Sequence, residues 1–183
     1  MPLILVRHPQ PLVAAGICYG RTDLAVADDQ MAHTLAALSA SLPRGLALYS
    51  SPLRRCASLA AQLAPRLHSP AAIIDERIAE IDFGAWEMRA WDDIPRADID
   101  AWAGDLVHYR PGGGESVLRM AERIAAFHAD IQRQQRDAII ICHAGAMRLL
   151  AACHTGLPPA EMALQAVQRP HQIGYGATLV LDR

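Results

Sequence analysis

Two apolar runs in this chain stop at a histidine. Pro2-Leu3-Ile4-Leu5-Val6 leads straight into Arg7-His8, and Ala138-Ile139-Ile140-Ile141-Cys142 leads into His143-Ala144-Gly145. Short continuous apolar runs bounded by polar residues read as strands buried on both faces. Such strands belong to parallel sheets covered by helices, so the pattern predicts an α/β fold. Open α/β sheets build their ligand sites at strand ends. Two strand-end histidines with arginine close by would set a nucleophile and an anion clamp on one sheet edge, which points to an enzyme that handles phosphate.

The rest of the chain alternates in the same way. Leu46-Ala47-Leu48-Tyr49, Ala72-Ile73-Ile74 and Ala177-Thr178-Leu179-Val180-Leu181 read as further strands. Met31, Leu35, Leu38 and Leu42 fall at helical spacing, as do Leu53, Cys56, Ala60, Leu63 and Leu67, and then Val117, Met120, Ile124, Phe127 and Ile131. Ser51 reads as an N-cap with Pro52 at the first helical position. Glu115-Ser116 opens the long third helix, and a shorter helix runs from about Ala146 to Cys153. The stretch from Glu76 to Tyr109 is rich in Trp, Asp and Pro and weakly periodic; it reads as irregular, with a cap over about 85–111. One domain over residues 1–183, with a mostly parallel sheet covered on both faces, is the expected architecture.

Charge narrows the partners. With 17 basic and 19 acidic residues, net −2, the chain has no global attraction for nucleic acid or an anionic membrane, so an anion site must be local. No apolar stretch approaches the roughly 20 residues of a membrane helix. Met1-Pro2-Leu3 enters the first strand without a basic leader, which points away from secretion. Cys18, Cys56, Cys142 and Cys153 show neither a Cys-x-x-Cys pair nor staple-like spacing, as expected of reduced thiols in a cytoplasmic protein. His33, His68, His108, His128, His154 and His171 lack metal-ligand spacing, so no metal or other cofactor is expected; His108 and His171 are the loop residues among them placed to line a pocket. Apolar content leaves room for a homodimer.

Phosphoryl transfer needs a nucleophile in line with the leaving oxygen, cations around the phosphoryl oxygens and an acid for the leaving group. His8 suits the first task, since Arg7 beside it should lower its pKa and keep the imidazole neutral. Arg55, in the first turn of the helix begun by Ser51-Pro52, would aim its guanidinium and the helix N-terminus at one anion. His143 opens another helix and offers a further donor. Glu80, in the apolar loop Ala79-Glu80-Ile81-Asp82-Phe83-Gly84, is the choice for acid and base, because burial beside a phosphate would raise its pKa. Asp82 and Glu87 are the neighbours able to take its place.

On these residues the chain resembles the histidine phosphatase superfamily, the phosphoglycerate-mutase-like enzymes. Val6-Arg7-His8 is similar to the nucleophile motif and Ser51-Pro52-Leu53-Arg54-Arg55-Cys56 to the second-arginine motif. Glu80-Ile81-Asp82-Phe83-Gly84 resembles the acid loop and Cys142-His143-Ala144-Gly145 the second-histidine motif, all in family order. The resemblance implies a three-layer α/β/α sandwich and no metal. It also implies that His8 becomes phosphorylated, that Arg7, Arg55, His143 and the adjoining Ala144 hold the phosphate, and that Glu80 donates and then accepts the proton. Tyr19-Gly20-Arg21-Thr22-Asp23-Leu24 resembles a segment of the α-ribazole phosphatases. That likeness implies substrate contacts at Tyr19, Gly20 and Arg21, and hydrolysis of a small phosphate ester such as α-ribazole phosphate. The chain departs from the family at Pro9, where Gly is usual and where a backbone N–H is lost. Pro11, Ala14, Ala15 and Met88 replace other usual residues.

Three other readings stay open beside a phosphohistidine phosphomonoesterase. One is mutase-type phosphoryl transfer, for which the chain is short. Another follows from Cys142 to Arg148, which fits Cys-x5-Arg, the phosphate loop of cysteine-dependent phosphatases. The third is a phosphate-binding module without turnover.

Overall fold

The computed structural model describes residues 2–168 and 172–182, so His171 lies outside the described residues. Five strands, β1 (Leu3–Arg7), β2 (Ala47–Ser50), β3 (Ile73–Ile74), β4 (Ala138–Cys142) and β5 (Thr178–Leu181), form one sheet in the order β3-β2-β4-β1-β5. The first four are parallel, and β5 runs antiparallel to β1. Arg7 of β1 pairs in register with Cys142 of β4, and Ser50 of β2 with Ile141. The carboxyl ends of these three strands finish side by side, so His8, His143 and Ser51 leave the sheet at one edge.

The helices are α1 (Asp28–Ser41), α2 (Arg54–Arg66), α3 (Arg96–Gly104), α4 (Val117–Gln134), α5 (Ala144–His154) and α6 (Pro159–Val167). α1 and α2 bury their apolar stripes against Ile4, Val6, Ile139 and Ile141. α4, α5 and α6 cover Leu3, Leu5 and Ile140 on the other face. Alternate residues of one strand thus serve opposite cores, the period of two that a doubly covered strand requires. The architecture is the expected three-layer α/β/α sandwich around a mostly parallel sheet. Among the described residues no helix is long and apolar enough to cross a membrane.

Two local details differ from the sequence reading. α2 starts at Arg54, not at Ser51-Pro52. The Ser51 hydroxyl lies 2.8 Å from His143 Nε2, while Asp23 Oδ1, from a distant loop, accepts the N–H of Arg54 at 2.6 Å and supplies the cap. α6 was not anticipated, because a nine-residue helix offers too few turns to establish a period. The stretch from Glu76 to Tyr109 holds α3 and 3-10 turns at Glu76–Ile78, Gly84–Trp86 and Trp91–Asp93, with a further turn following at Pro111–Gly113. It carries its own core, in which Trp86, Ile94 and Cys18 are packed by Phe83, Trp91 and Trp102. A bridge from Ile17 to Ala90 ties the early loop to this cap.

Candidate active site

A cavity of about 320 Å³ lies at the carboxyl edge of β1 and β4, walled by Arg7, His8, Tyr19, Arg55, Glu80 and Ala144 among others. His8 is 2% exposed. Its Nδ1 lies 2.7 Å from the Pro9 carbonyl oxygen. A carbonyl only accepts, so Nδ1 carries the proton and Nε2 keeps its lone pair. Pro9, although it lacks an N–H, still orients the ring through its oxygen. Burial first, then the Arg55 charge, brings the His8 pKa down to about 3, against the Pro9 hydrogen bond and with the smallest contribution from Arg7. The imidazole is neutral chiefly because it is buried, rather than because of its neighbour in sequence.

His143 is fully buried, its ring centroid 5.0 Å from that of His8 and its Nε2 3.5 Å from the Cys56 thiol. Burial, then His8, Arg55, Arg123 and Arg7, push its pKa well below the ordinary value. The wall itself is formed by the next two residues, Ala144 and Gly145, which open α5. The helix N-terminus at the cavity is therefore that of α5; the first N–H of α2 is already held by Asp23.

Glu80 Oε2 accepts the Gly145 N–H at 3.1 Å. A Cβ at 145 would meet Glu80 Oε1 at 2.3 Å, so only glycine lets the carboxylate sit against this helix. Arg123 of α4 donates to the carbonyls of Arg77 and Ala79 at 2.7 Å and of Glu80 at 3.2 Å while paired with Glu115, which fixes the backbone around Glu80. The two rival carboxylates are engaged elsewhere. Asp82 accepts the Gly84 N–H at 2.7 Å. Glu87 Oε1 accepts from Arg21 N–H at 2.9 Å and Phe83 N–H at 3.0 Å; Oε2 accepts from Gly20 N–H at 3.1 Å, Thr22 N–H at 3.2 Å and the Thr22 hydroxyl. Burial would raise the Glu87 pKa, but the Thr22 hydroxyl and the backbone donors outweigh it and hold the carboxyl below its usual range. A carboxylate saturated with donors is a poor proton store, and of the three carboxylates Glu80 is the one in the cavity wall.

Arg55 is fully buried and donates to the carbonyls of Thr22, at 2.7 Å, and of Gly20. Glu87 thus grips Gly20, Arg21 and Thr22 from their N–H side, and Arg55 grips Gly20 and Thr22 from their carbonyl side. Gly20 acts on the cavity through Arg55, and a Cβ there would fall 2.0 Å from the Ile81 carbonyl oxygen. Arg7 donates to the Ile173 carbonyl and lies 3.9 Å over the Tyr175 ring, whose hydroxyl is 2.8 Å from that of Tyr19. Neither Arg7 nor Arg55 forms an ion pair among the described residues. Arg21 departs from expectation: it pairs with Glu76 at 3.3 Å on the surface and takes no part in the wall. His108 is likewise outside, exposed and bonded to Asp105 at 3.0 Å.

Cys142 corrects another reading. It is fully buried in the core, and burial, then Cys56 and Glu80, push its thiol well up, so neither access nor thiolate is available for the Cys-x5-Arg chemistry. Tyr175, Ser51 and Arg123 were missed. A cue for Tyr175 exists in Gly174-Tyr175-Gly176, but only the antiparallel return of β5 brings it back to Arg7, whose carbonyl accepts the Gly176 N–H at 3.2 Å. Among the described residues no group of three or more His, Cys, Asp or Glu side chains is arranged to hold a metal ion.

Comparison with known proteins places the fold and the family. The profile of the histidine phosphatase superfamily (branch 1) matches residues 3–173. The adenosylcobalamin/alpha-ribazole phosphatase of Escherichia coli K12 is 30% identical over 159 residues, 84% of this chain and 71% of that protein. The crystal structure of the alpha-ribazole phosphatase from Shigella flexneri superposes with a TM-score of 0.81 at 26% identity, over 100% of this chain and 90% of the other. A mycobacterial glucosyl-3-phosphoglycerate phosphatase, in complex with VO3, gives a TM-score of 0.77 at 25% identity over 99% and 92% of the two chains.

Proposed function

The chain belongs to the histidine phosphatase superfamily, and from that premise we propose that it is a phosphomonoesterase working through a phosphohistidine on His8. The phosphoryl oxygens meet Arg7, Arg55 and the opening turn of α5, with His143 packed behind that turn against His8. The Nε2 lone pair of His8 attacks phosphorus, the phosphorus–oxygen ester bond breaks, and Glu80 delivers its proton to the departing alkoxide. Water then attacks the phosphohistidine and gives its proton to the Glu80 carboxylate. The nitrogen–phosphorus bond breaks, and inorganic phosphate leaves with His8 neutral again.

One observation carries this reading. Two guanidinium cations, one of them fully buried, flank a neutral histidine and have no carboxylate partner among the described residues. An uncompensated buried charge is strongly destabilising, and a phosphate dianion in the cavity supplies the missing counter-charge. A binding module would need the arginines but not a carboxylate held at the same wall. The substrate is a small phosphate ester, and the relatives' names make α-ribazole phosphate the first to try. The test is hydrolysis of p-nitrophenyl phosphate in excess EDTA by wild type, His8→Ala and Cys142→Ser. Turnover in all but His8→Ala supports the mechanism; loss only in Cys142→Ser overturns it.

A further inference from the structure

A second cavity of about 300 Å³ adjoins the first. The two share Glu80, Ile81, Phe83, Gly145 and Arg148 in their walls. Beyond these the second is lined by apolar side chains from four helices and the loop after α3, among them Trp102, Leu106, Val117, Met120, Leu149 and Val167. Glu80 and Arg148 are its only charged lining residues among those described, and both stand at the boundary with the phosphate cup.

That placement has a chemical meaning. A general acid must stand where the phosphoryl group ends and the leaving group begins. The carboxylate that walls both cavities occupies that boundary, so a phosphate held by Arg7 and Arg55 sends its ester oxygen past Glu80. We propose that the second cavity receives the leaving group, and that the substrate is a phosphate monoester whose alcohol carries an apolar group. The inference rests on the phosphatase reading and deepens it. Apart from the buried, unpartnered indole N–H of Trp102, the chamber wall offers no hydroxyl or carboxamide, so it penalises the burial of hydroxyl-rich or anionic alcohols, most of whose polar groups would lose water without replacement. Phosphoglycerate and phosphates of sugars that carry no apolar group are therefore disfavoured, and Trp102, Leu106 and Val117 are specificity-determining residues.

The test uses non-hydrolysable phosphonates, so that binding is read independently of turnover. Calorimetry compares 3-phenylpropylphosphonate with 3,4-dihydroxybutylphosphonate, which differ only beyond the phosphonate and its first carbons. Burial of the ring predicts tighter binding of the phenyl compound by roughly tenfold to a hundredfold. In Leu106→Asp and in Val117→Asp, the second of which puts an acid where a helix N-terminus accepts one, the preference should collapse toward equality. Leu106→Met should keep it. Equal affinities in the wild type, or a preference that survives both acidic variants with melting temperatures unchanged, would overturn the proposal. Failure of the phosphatase reading has a different signature: the phenyl preference persists, but neither 2-phenylethyl phosphate nor glycerol 3-phosphate is hydrolysed.

Discussion

Replacing Glu87 by Gln removes one charge and turns one carboxylate oxygen into an NH2 group. In the wild type the two oxygens accept from four backbone N–H groups, those of Gly20, Arg21, Thr22 and Phe83, and from the Thr22 hydroxyl. An amide retains one accepting oxygen and presents its nitrogen to donors it cannot satisfy. Hydrogen bonds to a charged acceptor contribute about 1.5–3 kcal/mol each. The group is half-buried, so screening and non-additivity reduce the total, and the expected loss of stability is about 2–3 kcal/mol. Part of the damage should reach the cavity, because the carbonyls of Gly20 and Thr22 position the Arg55 guanidinium. If about 1–2 kcal/mol of anion affinity is lost, the inhibition constant for inorganic phosphate rises about 5- to 30-fold. The pH dependence identifies the cause. The folded Glu87 pKa lies below its unfolded value, so its contribution is fully present above about pH 4.3 and is lost as pH falls through the folded value. Urea unfolding should therefore show the variant's deficit at pH 7 and a shrinking deficit below about pH 4. A variant as stable as wild type at pH 7, with unchanged phosphate inhibition, would refute the clamp.

Other consequences follow from the same geometry. Glu80→Gln keeps the contact with Gly145 but holds no proton to give; kcat on an alkyl phosphate should fall about 10²- to 10⁴-fold, and less on an aryl phosphate whose leaving group needs less help. Equal losses on both esters would move the acid elsewhere. Arg55→Lys gives up the fork that reaches Gly20 and Thr22 and should raise the phosphate inhibition constant about tenfold or more, which a competition assay measures directly. With the His8 pKa near 3, loss of the neutral imidazole should not limit kcat/KM between pH 7 and pH 5; a decline centred near 6.5 would show that His8 titrates as an ordinary histidine. The same depression means that His8 stabilises the fold fully above about pH 6.5 and loses that contribution as pH falls toward about 3. Urea-unfolding stability of His8→Gln should accordingly depend less on pH in that window.

Legibility in the sequence followed the range of each interaction. β1 and β4 were readable because a strand buried on both faces must be continuously apolar, and both are. Arg7, His8, His143 and Glu80 were readable because they sit within a residue or two of such elements or in a distinctive loop, and the structure brings them to one edge. Ser51 misled because Ser-Pro has the form of a helix start, whereas its hydroxyl turns to a histidine 92 residues away and Asp23 supplies the cap. Arg21 could be read either as a substrate contact or as a solvated loop arginine, and local sequence cannot show that Glu76 draws it to the surface. Glu87 looked like a rival acid, and only the fold of loop 20–22 over it reveals an anchor. Arg123 was one charged residue on an amphipathic helix until the carbonyls of Arg77, Ala79 and Glu80 appeared beside it. Tyr175 depended on the direction of β5, which the short run Thr178–Leu181 does not encode.

The central claim is a covalent phosphohistidine at position 8. Rapid mixing with excess phosphate ester, followed by an alkaline quench and peptide mass analysis, reads it directly. The account predicts one added phosphoryl group on the peptide that contains His8, its accumulation in Glu80→Gln if breakdown is slowed more than formation, and none in His8→Ala. A phosphoryl group on Cys142, or active hydrolysis by His8→Ala at wild-type rate, would contradict it.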